Sequence, residues 1–267
     1  MQDVALQLFF ILFFVAVFAG FVDSIAGGGG LIVLPAMLIM GIPPLEALGT
    51  NKLQAQFGSA SATIAYARRG HVNLKTQFPM ALMALFGGMI GAFTASFVPA
   101  DVLKAIMPFL LVAIAVYFAF KPNLSDIDSQ RRITPLLFGL TVVSLIGFYD
   151  GIFGPGAGSF YMLAFVGLAG FGMLKATAHT KLLNFGSNFG GFLVFTLNGA
   201  ILWKLGLVMG FGQFLGAQIG SRLAMKNGAR IIRPLLVISC LAMAARLILD
   251  THAPYSLVWI IGKISGA

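Results

Sequence analysis

Charge is scarce in this chain. Only 9% of its 267 residues are charged and 59% are hydrophobic, whereas an ordinary soluble domain carries about 25% charged residues. With a mean hydropathy of +0.96, a soluble globular fold is excluded and an integral membrane protein is expected. The single cysteine, Cys240, rules out an internal disulfide and any multi-cysteine metal site; in its apolar run it reads as a packing residue. The glycine runs lack a preceding strand and a following Gly-Lys-Ser/Thr, so they are not nucleotide loops, and no ATP-driven mechanism is indicated. No basic stretch opens the chain. Asp3 precedes the apolar residues 4–22 and no small-x-small site ends them, so they read as a first span rather than a signal peptide. The dyad alternation of an outer-membrane strand is missing too, and the apolar segments run well past the length of such a strand, which makes them helices.

Apolar segments are what the sequence has in abundance. They fall at about 4–22, 31–40, 44–67, 78–98, 102–120, 135–149, 152–170, 176–197, 202–224 and 230–249. A net charge of +9 would suggest nucleic acid in a soluble protein, but the basic residues lie in short loops between the apolar segments, so no nucleic-acid partner is expected. Ten crossings put Arg68, Arg69, Lys75, Lys121, Arg131, Arg132, Lys175, Arg222, Lys226, Arg230 and Arg233 on one side, and Lys104, Lys204, Arg246 and Lys263 on the other. By the positive-inside rule the first group is cytoplasmic and both termini are periplasmic. Eight crossings would put the basic loops at 68–75 and 222–233 on opposite sides.

One stretch organises the rest. Gly20-Phe21-Val22-Asp23-Ser24-Ile25-Ala26-Gly27-Gly28-Gly29-Gly30 is repeated in the second half as Gly147-Phe148-Tyr149-Asp150-Gly151-Ile152-Phe153-Gly154-Pro155-Gly156, each copy set between two apolar segments. Glycine and proline at membrane depth free backbone groups that lipid cannot satisfy, so such breaks survive only against protein or a wet cavity. The segment from Leu31 is short for a span, and Gly27 to Gly30 are expected to complete it as extended backbone. Interrupted helices at corresponding places in two halves point to the substrate site of a secondary transporter. The basic loop follows the third segment of the first half but the fourth of the second. Charge has therefore changed places between equivalent loops, as two inverted five-segment repeats require. The expected organisation is a first repeat over 1–120, a cytoplasmic linker over 121–134 and a second repeat over 135–267. Gly87, Gly91 and Ala95, and again Gly212, Gly216 and Gly220, are spaced for close helix approach.

The third segment of each half carries a lysine, in Thr50-Asn51-Lys52-Leu53-Gln54-Ala55-Gln56 and in His179-Thr180-Lys181-Leu182-Leu183-Asn184. An ionisable group at that depth costs about 2.5 to 3.5 kcal/mol on insertion scales, which marks it as a functional candidate. Two lysines, amide donors and the positive ends of broken helices suit a small oxyanion. The substrate-binding candidates are Lys52, Asn51, Gln54, Gln56, Gly28, Gly29, Lys181, Thr180, Asn184, Asn188 and Gly156; Asp23, Asp150 and His179 are candidate proton carriers. Plainer uses compete with these. The aspartates could cap the broken helices or neutralise the lysines, the lysines could snorkel toward an interface, and the amides could join helices. An anion channel is one alternative function, and an intramembrane enzyme using Asp23 and Asp150 is another.

Together the two glycine motifs, continued to Leu31 in the first, with Thr50-Asn51-Lys52-Leu53-Gln54 and His179-Thr180-Lys181-Leu182-Leu183-Asn184, resemble the sulfite exporter family of TauE/SafE type, closest to its bacterial YfcA-like branch. The resemblance runs essentially end to end. It implies a bacterial inner-membrane transporter, an exporter of a sulfite-like or organosulfonate-like anion, with no cofactor. The partners expected are that small anion and the lipid bilayer, with a homo-oligomer left open.

Overall fold

The computed structural model describes residues 2–95, 116 and 126–249. Apart from residue 116, the segment expected at 102–120 lies outside the described residues, as do the tail from 250 and the side chain of Cys240. Nine helices and no strand are found among the described residues: α1 Gln2–Ala26, α2 Gly29–Ile39, α3 Pro44–Arg68, α4 Leu74–Thr94, α5 Pro135–Ile152, α6 Ala157–Ala169, α7 Met173–Leu197, α8 Trp203–Asn227 and α9 Ala229–Leu249. Phe138–Val143 in α5 and Phe165–Ala169 in α6 are wound as π-helix. Local signals place several starts. Pro44 opens α3 with Glu46 in its first turn, Asn73 caps α4 by accepting from the amides of Lys75 and Thr76, and Thr134 precedes Pro135 at the start of α5.

By length and composition Gln7–Ala26, Leu74–Thr94 and Pro135–Ile152 are long and apolar enough to cross a membrane. Helices α3, α7 and α8 each have 25 residues, or about 37 Å of rise, and their polar residues lower their hydropathy. Those polar residues are turned inward. Thr50, Asn51, Lys52, Gln54, Thr180, Lys181, Asn184 and Gln213 are buried, whereas Phe10, Phe14, Phe18, Phe86, Phe93, Phe211 and Ile219 are exposed. An outside of phenylalanine and isoleucine around a small and polar inside fits lipid as the solvent.

The helices interleave. Helix α8 packs on α1 and α3, α4 packs on α5 and α7, and α3 packs on α7. Both α1–α8 and α4–α5 crossings depend on glycine. A Cβ at Gly216 would overlap the Val17 carbonyl and one at Gly220 the Phe21 carbonyl; Gly87 and Gly91 stand in the same relation to the carbonyls of Ser144 and Phe148. Phe21 and Phe148 are equivalent positions of the repeated motif, so the two crossings share one geometry.

At the first motif, α1 continues through Asp23 to Ala26 and α2 begins at Gly29. The non-helical backbone is thus confined to Gly27, which takes φ +81°, and Gly28; Gly29 and Gly30 are helical rather than extended. Residues 126–134 lie across the ends of α6, α7 and α9. Asp126 accepts from the amides of Leu174 and Ala229, and Asp128 from the amide of Gly172 and the ammonium of Lys175. Carboxylates at helix N-termini are favourably placed against the partial positive charge there.

Candidate functional site

Where α1 and α5 break inside the protein, several carbonyls near the helix ends find donors outside the helix. The Asp23 carbonyl accepts from the Gly27 amide at 2.8 Å and from Lys181 Nζ. The Ser24 carbonyl accepts from Tyr66 at 3.0 Å, and the Ala26 carbonyl from Ser159 at 3.0 Å. In α5 the Asp150 carbonyl accepts from Lys52 Nζ, while Tyr149 donates its hydroxyl to the Pro155 carbonyl at 2.6 Å. The loops meet backbone to backbone, since a Cβ at Gly27 would press on Gly158 and one at Gly158 on Gly27. Only glycine permits this approach.

The lysines are crossed. Lys52, in the first half, reaches Asp150 Oδ1 at 2.7 Å, and Lys181, in the second, stands 3.8 Å from Asp23 Oδ2. Both lysine side chains are wholly buried. Each ammonium therefore sits at the C-terminal end of a broken helix, beside a carboxylate, where the helix dipole favours a cation. Asp150 also accepts from Ser187 and from Asn188 at 3.3 Å.

Between the pairs lies a cavity of about 30 Å³, lined by Asp23, Asn51, Ser59, Asp150, Asn184, Asn188 and Gln213 and by the glycine loops with the first residues of α2 and α6. Asp23 and Asp150 border this cavity with Lys52 and Lys181 behind them, and side-chain amides, the Ser59 hydroxyl and two helix N-termini complete its lining. Such a lining offers hydrogen-bond donors to a small anion without a bare counter-charge.

Of the residues expected from the sequence, Asp23, Asp150, Asn51, Asn184, Asn188 and Gly156 line this cavity. Lys52 and Lys181 stand behind its walls. Gly29 gives its amide to Asp23 Oδ1 at 3.1 Å, and Gly28 precedes α2 as its cap residue. Gln54 donates to Asn51 Oδ1 at 2.8 Å, and Gln56 to the Lys52 carbonyl at 3.3 Å. Thr180 is buried and its hydroxyl has no partner among the described residues. His179 lies elsewhere: its Nδ1 donates to the Lys175 carbonyl at 2.8 Å, and its ring packs on Phe165 and Phe171 at a second cavity with Gln77 and Arg131. Sequence reasoning missed Gln213, Ser187 and Tyr66. A signal for Gln213 existed, since it is an amide among the spaced glycines of α8.

A family model described as Sulfite exporter TauE/SafE matches residues 12–247. The chain is 65% identical over 260 residues to "Probable membrane transporter protein ORF9" of Sinorhizobium sp, covering 97% of this chain and 99% of that one. It is 52% identical over 250 residues to "Probable membrane transporter protein YfcA" of Escherichia coli strain K12, covering 94% and 93%. A more distant relative, "Probable membrane transporter protein YunE" of Bacillus subtilis strain 168, is 26% identical over 259 residues, covering 86% and 95%. No solved structure is significantly similar.

Proposed function

Because the chain belongs to the sulfite exporter TauE/SafE family, a family of membrane transporters and not of enzymes, we propose that it is a secondary transporter of a small oxyanion of the sulfite or organosulfonate class. The observation that carries the substrate class is the central cavity, where Asn51, Asn184, Asn188 and Gln213 meet the N-terminal ends of α2 and α6. The lysines serve this site indirectly. They hold the broken ends of α1 and α5, so that the loops around the cavity keep their shape while the site as a whole stays near neutral.

The same reading puts the chain in the bacterial inner membrane as two inverted five-segment repeats, the first over 1–120 and the second over 135–267, with periplasmic termini. Support comes from the equivalent glycine crossings of α1–α8 and α4–α5 and from the exchanged lysines. Transport is outward, as the family's name suggests, and is coupled to protons. Purified protein in vesicles loaded with sulfite, with a pH difference across the membrane, tests this. Saturable sulfite release above that of empty vesicles, with no chemical change in the anion, is the expected result. Release that never saturates would indicate a channel, and an altered anion an enzyme.

A further inference from the structure

The two aspartates occupy corresponding places but are held differently. Asp150 is closed in: Oδ1 accepts from Lys52 at 2.7 Å, Oδ2 accepts from Ser187 and from Asn188 at 3.3 Å, and its side chain is 3% exposed. Asp23 Oδ1 accepts from the Gly29 amide at 3.1 Å. Its Oδ2 receives no hydrogen bond from the described residues, because Lys181 at 3.8 Å is beyond hydrogen-bonding reach, and its side chain is 14% exposed.

The cause lies in two exchanged positions. The correspondence that pairs Lys52 with Lys181 pairs Gly58 with Ser187 and Ala84 with Gln213. Packing supports it, since the Ala84 carbonyl meets Gly147 as the Gln213 carbonyl meets Gly20. The hydroxyl that clamps Asp150 therefore has no counterpart at Asp23. Gln213 fills that space instead, its Cγ and Nε2 lying where a Cβ at Gly58 would go. Its side chain lines the cavity, is 1% exposed and leaves Oε1 without a partner. Ionised carboxylates only accept hydrogen bonds, whereas a protonated one must also donate. Lys52, Ser187 and Asn188 all donate to Asp150, an arrangement that suits an ionised carboxylate. Asp23 has a free oxygen and shares its cavity with the unpartnered Oε1 of Gln213 and Oδ1 of Asn184, acceptors for a carboxylic acid proton.

We propose that Asp23 alone of the two carries the exchangeable proton of the transport cycle, and that glycine at 58 with glutamine at 213 confers this on it. The inference rests on the reading of the chain as a proton-coupled transporter and identifies which carboxyl does the coupling. The groups that face Asp23 are Lys181 from α7 and Tyr66 from α3, with Asp150 and Lys52 across the cavity; α2 has no titratable residue and α8 presents Gln213. On protonation the carboxylate becomes a neutral acid, the ion pair with Lys181 is lost, and Lys181 keeps its bond to the Asp23 carbonyl.

Infrared difference spectra of the protein in lipid, titrated without any anion, test this apart from the substrate. Wild type and Asp150→Asn should gain the carbonyl stretch of a buried carboxylic acid on acidification, and Asp23→Asn should not. The decisive variant is Gly58→Ser with Gln213→Ala, which gives Asp23 the serine and the alanine that Asp150 has. It should lose the band and, in vesicles, lose the response of sulfite flux to a pH difference. A band that persists in Asp23→Asn, or an unchanged titration in the double variant, would overturn the proposal. An intact band in a wild-type protein that moves no sulfite counts against the oxyanion reading and leaves the assignment of the proton to Asp23 standing.

Discussion

Lys52 Nζ lies 2.7 Å from Asp150 Oδ1 and also donates to the Asp150 carbonyl, with both side chains withdrawn from solvent. The bond ties α3 to the end of α5, so the lysine of the first half secures the broken helix of the second. Lys181 returns the relationship by holding the Asp23 carbonyl. The lysines are thus pins between the halves, and their loss acts on the fold before it acts on any ligand.

Lys52→Ala should therefore be the more damaging of the two lysine truncations. It leaves the buried Asp150 without its ammonium partner, a class of change that costs about 3 to 5 kcal/mol. Lys181→Ala strands a carboxylate that is 3.8 Å from the lysine and more exposed than Asp150, and it should cost less. Thermal unfolding in detergent of both variants checks the order. Equal stability with wild type in Lys52→Ala would show that the pair contributes little.

The glycine crossings give a contrast between packing and function. Gly216→Ala and Gly91→Ala each drive a methyl into a carbonyl of the facing helix, and overpacking of this kind costs about 1 to 3 kcal/mol. Both should melt earlier than wild type. Gly30→Ala differs, because a Cβ there meets Asn51 and the Pro155 Cα at ordinary distances of 3.5 and 3.8 Å. It should keep the fold while the methyl takes up room in a cavity of about 30 Å³, so flux should fall without loss of melting temperature.

The helices were legible from the sequence because lipid-facing apolar runs and their breaks are local signals. The ends of α3 and α7 fell within a few residues of expectation for this reason, and the aspartate and glycine motifs pointed to the region where the cavity lies. The crossing of the lysines was not legible, since which carboxylate each reaches depends on how α3 and α7 pack. Asp23 with Lys52 and Asp150 with Lys181 would have looked equally reasonable. Gly27 to Gly30 were expected to be extended, but a helix can begin as soon as its amides find acceptors, and Asp23 supplies one to Gly29. His179 stood beside Lys181 in the sequence, yet a helix sends adjacent residues to different faces, and it is turned toward Phe165 and Phe171.

Acid should loosen the clasp made by residues 126–134. Partial burial raises the pKa of the Asp128 carboxyl, but the Gly172 amide and the Lys175 ammonium outweigh it and bring the net value below the ordinary 3.8. A carboxyl depressed in the folded state adds stability above 3.8 and loses it as the pH falls through the folded value. The melting temperature of wild type should therefore decline over that acid range, and Asp128→Asn should remove this contribution to the decline. Identical acid limbs in the two proteins would exclude Asp128 as a source.

Topology is open to direct chemical test. With Cys240→Ser as background, single cysteines placed in the basic loops at 68–75, 121–134 and 222–233 should resist an impermeant thiol reagent in intact cells and react after lysis. A cysteine at Gly199, in the turn between α7 and α8, should react from outside. Labelling of 68–75 and 222–233 on opposite sides would replace ten crossings by eight.

The interleaving of the helices also dictates the order of events during synthesis. Lys52 precedes its carboxylate by 98 residues, which at typical elongation rates is roughly 5 to 20 s of translation. Through that interval α3 has its lysine but not Asp150, and α1 lacks the glycines of α8 that pack on its Val17 and Phe21 carbonyls. The first half must wait in or beside the insertion machinery as an unfinished bundle, and the last helices made are what complete the earliest ones.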